Sequence, residues 1–182
     1  MLQINFGQNI GIRSNVEFSD NEKINFTLGG GLYLNINDFS EKIELLFYTD
    51  YHSNKKQFPY QEMLTTYRHY SIGISSLYKF SLSKYSYFKL GPSISYDLIK
   101  ASEAGLFYNW LRTYYSKSLG VGVVFNFQFP QIKKLPINFH IFITPTYLIN
   151  IKNETSPLGN KSDFLENQKI VNIQLGFSYI IF

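Results

Sequence analysis

The stretch from Lys169 to Phe182, K-I-V-N-I-Q-L-G-F-S-Y-I-I-F, changes character at every residue. Val171, Ile173, Leu175, Phe177, Tyr179 and Ile181 alternate with Asn172, Gln174, Gly176 and Ser178. Successive side chains of a strand point to opposite faces, so this period of two predicts a strand with an unbroken apolar face and a small polar one. The chain then ends on an aromatic residue.

The same alternation recurs upstream. Leu2, Ile4, Phe6, Ile10 and Ile12 predict a first strand from Leu2 to about Ile12, followed by a polar loop from Arg13 to Lys23, although Val16 and Phe18 keep the phase. A second strand sets Ile24, Phe26, Leu28, Leu32, Leu34 and Ile36 against Asn25, Thr27, Gly29, Gly31, Tyr33 and Asn35. After a tight break at Asn37 to Glu41, a third strand carries Ile43, Leu45, Phe47, Thr49 and Tyr51. His52 to Thr66 reads as a long connection. A fourth strand runs from about Tyr67 to Leu82, a short turn follows, and a fifth holds Phe88, Leu90, Ile94, Tyr96 and Leu98. Ile99 to Thr113 is a second long connection. The sixth strand carries Tyr115, Leu119, Val121, Val123, Phe125, Phe127 and Phe129; after the turn Pro130 to Pro136, the seventh carries Ile137 through Ile151. Lys152 to Gln168 then leads into the closing strand.

That makes eight strands, with connections one, three, five and seven long and polar, and two, four and six short. Strands of this length exceed the five or so residues usual in soluble sheets and fit a tilted membrane crossing of roughly 9–11 residues. An even strand number lets the last strand pair with the first, removing the edges that a bilayer does not tolerate. The predicted fold is therefore all-β: an eight-stranded antiparallel up-and-down transmembrane β-barrel, forming one domain over residues 1–182.

Composition fits. Aromatics make up 18% of the chain and hydrophobic residues 45%, yet the mean hydropathy is −0.13. A barrel wall with a polar inner face dilutes the average in this way. No apolar run approaches the roughly 18 residues of a spanning helix. The N-terminus M-L-Q-I-N-F lacks a basic region followed by an apolar core, so the expectation is a mature or trimmed chain.

Periodicity alone leaves the orientation of the faces open, because a soluble calycin-like ligand-binding barrel alternates too. The polar faces are rich in Gly, Ser, Asn and Thr, which suit a narrow interior, and the apolar faces are large, with Tyr and Phe toward strand ends. Lipid is therefore expected outside. Lys42, Glu44, Asp50, His69, Lys79, Lys89, Asp97 and His140 then point inward as a polar plug with little room for a pore. Pro92 and Pro145 fall within strands, where bulges or positions near a rim would accommodate them.

Y-F-K-L-G-P-S-I-S-Y, F-I-T-P-T-Y-L-I and the terminal G-F-S-Y-I-I-F give the chain a resemblance to small eight-stranded outer-membrane barrels of the OmpA/OmpX type and their PorT-like relatives. The resemblance implies a bacterial outer-membrane location, outer-membrane lipid as surroundings, and a terminal aromatic that serves barrel assembly. Phe182 departs from it, being out of phase with Tyr179 and Phe177.

One cluster looks catalytic. His69-x-Ser71 places a base and a hydroxyl on one strand face, and it resembles the His-x-Ser of barrel-shaped lipid A deacylases. Ile72 follows where that motif has Asn, no acid lies between Ser71 and Leu82, and both side chains take the inward phase. A structural histidine is the expectation. His52, His69 and His140 lack ligand spacing, and there is no cysteine, so neither metal nor cofactor is expected. Gly29-Gly30-Gly31 precedes no helix and reads as close packing or a strand bend. The net charge of +4 is scattered, so no nucleic-acid partner is expected. Phe107, Tyr108 and Trp110 are candidates for a protein-partner contact or an interfacial anchor. The expected role is a structural or interaction protein of the envelope without enzymatic activity, acting through its long loops.

Overall fold

The structure, a computed structural model, describes residues 8–20, 26–40, 42–58, 63–83, 86–105, 111–129, 137–156 and 167–181. It contains β1 (Gln8–Ser19), β2 (Phe26–Ser40), β3 (Ile43–Phe58), β4 (Met63–Ser81), β5 (Tyr87–Gly105), β6 (Leu111–Phe129), β7 (Ile137–Ser156) and β8 (Gln168–Ile181). Each strand pairs antiparallel with its neighbours in sequence, and β8 pairs with β1 from Gln8↔Ile181 to Ser19↔Ile170, so the barrel is closed. Following partners from Lys152 through Lys117, Leu98, Tyr70, Tyr51, Gly30, Ser14 and Leu175 leads back to β7 at Ile141. Returning to the same strand at a different residue is the stagger that tilted strands require.

The alternation resolves into lipid-type surface outside and polar packing inside. Ile12 and Ile72 are each 62% exposed, with Leu32, Ile94, Val121 and Leu175 also outward. Asn9, Arg13, Asn15, Glu17, Asp50, His69, Asp97 and Gln174 are buried within the barrel. This is the reverse of a calycin-like barrel. Aromatic rings stand at both ends of the apolar exterior. Phe80, Phe88 and Phe127 neighbour one another at centroid distances of 5.8 and 4.9 Å, and Phe129, Phe139 and Phe177 continue the girdle at 5.6 and 5.3 Å. At the other end Tyr51 and Tyr70 lie 4.7 Å apart. From Tyr70 to Phe80 the tilted strand rises about 25 Å, the height of the apolar band in membrane barrels.

The strands run further than their hydropathy predicts. Most of the expected loop at His52 to Thr66 is ladder, with β3 and β4 paired from Asn54↔Tyr67 to Phe58↔Met63. The expected connection at Ile99 to Thr113 is likewise strand up to Gly105 and again from Leu111, while β7 continues to Ser156. β1 continues to Ser19 rather than ending near Ile12, and β2 runs on to Ser40 with a register irregularity after Ile36. Beyond the apolar band the outward positions become polar, so the hydropathy signal fades while backbone pairing persists. The extension is one-sided: β2 pairs with β3 only as far as Leu28↔Ser53, and β8 with β7 only as far as Leu148↔Gln168. β3 to β7 thus rise above the rest as a five-stranded sheet.

Neither proline is at a bulge. Pro92 pairs with Val123 on β6 and Pro145 with Val171 on β8, while each lacks a partner on its other side without any change of register. A strand residue sends its N–H toward one neighbour only, so proline removes one rung and leaves the other ladder intact.

Two apolar clusters sit inside the barrel. Tyr33, Leu46, Leu77, Val124 and Phe142, with Tyr48 against them, fill the half nearer the short connections. Tyr67, Ile99, Ala101, Tyr114, Leu148 and Ile170 fill the half nearer the long ones.

Candidate functional site

Between the two clusters lies a charged layer built from residues on non-adjacent strands. Arg13 on β1 donates from Nε to Asp50 Oδ1 at 2.8 Å and from Nη2 to Oδ2 at 2.5 Å. Asn15 Nδ2 adds a bond to Asp50 Oδ1 at 2.8 Å, and Gln174 Nε2 one to Oδ2 at 3.3 Å. The guanidinium also lies 4.6 Å from the centroid of Tyr48, whose hydroxyl is 2.9 Å from Ser93 Oγ. Fork geometry matched to a carboxylate, with aromatic faces alongside, is what an arginine needs to be buried at tolerable cost.

Toward the long connections, His69 stands between two carboxylates. Its Nδ1 is 2.8 Å from Glu17 Oε2 and its Nε2 is 2.8 Å from Asp97 Oδ1. Asp97 Oδ2 accepts from Ser95 Oγ at 2.6 Å. His52 stacks on His69 with centroids 5.6 Å apart, its Nε2 3.8 Å from Glu17 Oε2, beyond hydrogen-bond reach. Toward the short connections, Lys89 pairs with Glu44, and His140 Nε2 meets Ser178 Oγ at 2.9 Å.

In this arrangement neither ring nitrogen of His69 is free for Ser71. Ser71 shares the inward face with His69, but both ring nitrogens of His69 already face carboxylate oxygens, leaving none to take a proton from a hydroxyl. His69 is 1% exposed, inside a wall whose outer face is apolar. The acids that orient it come from β1 and β5, which the local sequence around Ser71 did not reveal. The interior cavity bordered by Arg13, Asp50, Ser71, Asp97 and Gln174 measures only about 10 Å³. Room for one water is the limit at that volume.

Of the residues expected inside, Glu44, Asp50, His69, Lys89, Asp97 and His140 are buried there. Lys42 is exposed at the rim of the short-connection end, and Lys79 is half-buried, its Nζ 5.3 Å from the ring of Tyr87. Arg13, Glu17 and His52, central to the network, fell in segments read as loops. Parity finds them: Val16 and Phe18 hold the outward phase, which turns residues 13, 15 and 17 inward, and Tyr51 outward turns His52 inward. Gly29-Gly30-Gly31 lies within β2, as close packing. Among the described residues no group of three or more His, Asp or Glu is arranged to hold a metal ion. Phe107, Tyr108 and Trp110 lie outside the described residues.

No protein-family model matches the sequence, and no characterised protein matches it in sequence. Solved structures match it in shape. A major outer membrane protein from Thermus thermophilus superposes with a TM-score of 0.69 at 12% identity, over 96% of this chain and 99% of that one. Neisserial surface protein A gives 0.60 at 16% identity, over 97% of each chain. Ail, the attachment invasion locus protein of Yersinia pestis, gives 0.53 at 15% identity, over 99% of this chain and 100% of that one. Apolar exterior, charged and filled interior, closed eight-strand ladder and shape agree: this chain has the fold of the small outer-membrane β-barrels.

Proposed function

We propose that the protein resides in the bacterial outer membrane as a non-enzymatic structural or interaction subunit of an envelope assembly, working through the end where β3 to β7 extend beyond the apolar band. The observation that carries this reading is the one-sided sheet: β3 to β7 continue past the apolar band with Lys55, Thr66, Arg68, Lys100, Ser102, Thr113 and Lys117 on their outer face. A rigid, polar, projecting surface is suited to recognition, and a plugged interior is unsuited to transport. The occupied nitrogens of His69 speak against hydrolysis.

The test is co-purification from native outer membranes of the intact chain and of one in which residues 106–110 are replaced by a Gly-Ser segment. Both should show the mobility shift between unheated and heated samples that folded barrels give, and a specific envelope protein should accompany only the intact chain. Equal recovery of that protein with both chains, or none with either, would reject the interaction role.

A further inference from the structure

In the half of the interior nearer the short connections, a lysine, a glutamate and an asparagine are buried together. Lys89 on β5 is ion-paired with Glu44 on β3, and it is the direct cross-strand partner of Asn126 on β6. Lys89 is 2% exposed and the other two are fully buried. Apolar side chains wall them in. Leu77 lies opposite Glu44 and Phe142 opposite Asn126, while Leu46 and Val124 take the next inward positions on β3 and β6. An ion pair between such walls carries a desolvation cost that its own attraction only partly offsets. Lys79, a second cation, is the cross-strand partner of Lys89 on its other side, which adds to that cost.

The amide of Asn126 is held as an electrophile. His140 Nδ1 lies 3.3 Å from Asn126 Oδ1, while its Nε2 faces Ser178 Oγ at 2.9 Å. An amide oxygen only accepts, so Nδ1 carries the proton and donates it, and Ser178 donates to Nε2. The ring is fixed by Phe142, stacked at 5.5 Å, and by Tyr33, edge-on at 5.7 Å. A donor aimed at the amide oxygen stabilises negative charge that develops there, as in an oxyanion hole. Asn126 Nδ2 and Glu44 Oε1 have no hydrogen-bond partner among the described residues. The group that would leave and an oxygen to carry its proton are both available.

We propose that Lys89 Nζ and Asn126 Cγ join in a spontaneous amide bond that ties β5 to β6 inside the barrel. The ion pair is its precursor. Glu44 takes one proton from the Lys89 ammonium, and the freed amine attacks Cγ, driving the carbonyl electron pair onto Oδ1 against His140. Collapse of that tetrahedral centre restores the carbonyl and breaks the Cγ–Nδ2 bond. Nδ2 takes the proton from Glu44 and departs as ammonia. The surplus proton on Nζ then passes to Glu44, which ends as a neutral acid beside a neutral amide. Two buried charges become none, which favours the product. Directly opposed strand residues have Cβ atoms about 5 Å apart, so the lysine stem reaches Asn126 by folding back onto it. Confined in one layer, the two groups react at the high effective concentration of an intramolecular step. Each chain does this once, on itself.

The test is the mass of the intact chain, extracted folded from membranes. It should be lighter than its sequence by one ammonia. After denaturation, trypsin should pass over Lys89 and yield a branched fragment joining residues 85–100 to residues 118–133. Lys89→Arg keeps a cation for Glu44 without the amine nucleophile, and Glu44→Gln keeps the shape without the proton acceptor. Both should show the heat-dependent mobility shift of a folded barrel together with the full sequence mass. If either variant fails to fold, the branched fragment of the intact chain decides by itself. A folded intact chain at full sequence mass would overturn the proposal. So would ammonia loss without the branched fragment, which would place it at another amide, or a bond that survives in Glu44→Gln.

Discussion

Arg13 and Asp50 form their two-point ion pair across a strand that lies between them. Arg13 pairs in register with Gly31 on β2, and Gly31 pairs with Asp50 on β3. A Cβ built on Gly31 would stand 2.0 Å from Asp50 Oδ1 and 2.2 Å from the carbonyl oxygen of Thr49. The middle residue of the row has no side chain, and the ion pair passes over it. The same device serves Gly73, where an added Cβ would be 2.4 Å from the Tyr48 ring that crosses toward Ser93.

Gly31→Ala should therefore destabilise the barrel by about 1–3 kcal/mol, the usual cost of overpacking, because the Thr49 backbone cannot yield as a side chain can. Urea titration in lipid vesicles reads the change. A midpoint equal to that of the unaltered chain would show that the ion pair does not depend on this gap.

Removing Asp50 should cost more than removing the whole pair. Asp50→Ala leaves the Arg13 guanidinium buried without its acceptor, and Asn15 and Gln174 lose theirs, so a loss of about 3–5 kcal/mol is expected. The double variant Arg13→Met with Asp50→Leu exchanges the charges for apolar volume and should recover most of that loss. Additive losses in the double variant would contradict the account of a self-neutralising pair.

His69→Ala should lower stability, since Glu17 and Asp97 would each keep a buried carboxylate without its donor. Ser71→Ala should change stability little. Neither should alter the acyl-chain distribution of membrane lipids in cells that produce the protein, as measured by mass spectrometry. A deacylated species that disappears in either variant would restore the enzymatic alternative.

Planar-bilayer recording should show no steady ion conductance from the intact barrel. Tyr33, Leu46, Leu77, Val124 and Phe142 fill one half of the interior, and the cavity beside Arg13 and Asp50 in the polar layer measures only about 10 Å³. Truncating two plug residues together, Tyr33→Ala with Phe142→Ala, should permit measurable current. Conductance by the unaltered chain would mean that the interior opens in the membrane.

The sequence by itself determined the strand number, the closure and which side of each strand is apolar. All of these follow from a local period of two, which needs no partner to be visible. It also marked Glu44, Asp50, His69, Lys89, Asp97 and His140 as inward residues, because each lies in phase with small polar neighbours inside the apolar band. Only the tertiary structure decided who meets whom. Glu17 and Asp97 reach His69 from strands 52 and 28 residues away, and Arg13 reaches Asp50 from 37. Those distances depend on register and stagger around a closed wall, a global condition that no segment carries alone. The strand ends were misplaced for a related reason. Above the apolar band the solvent side no longer selects apolar residues, while the backbone ladder continues on hydrogen bonds that leave no mark on side-chain hydropathy.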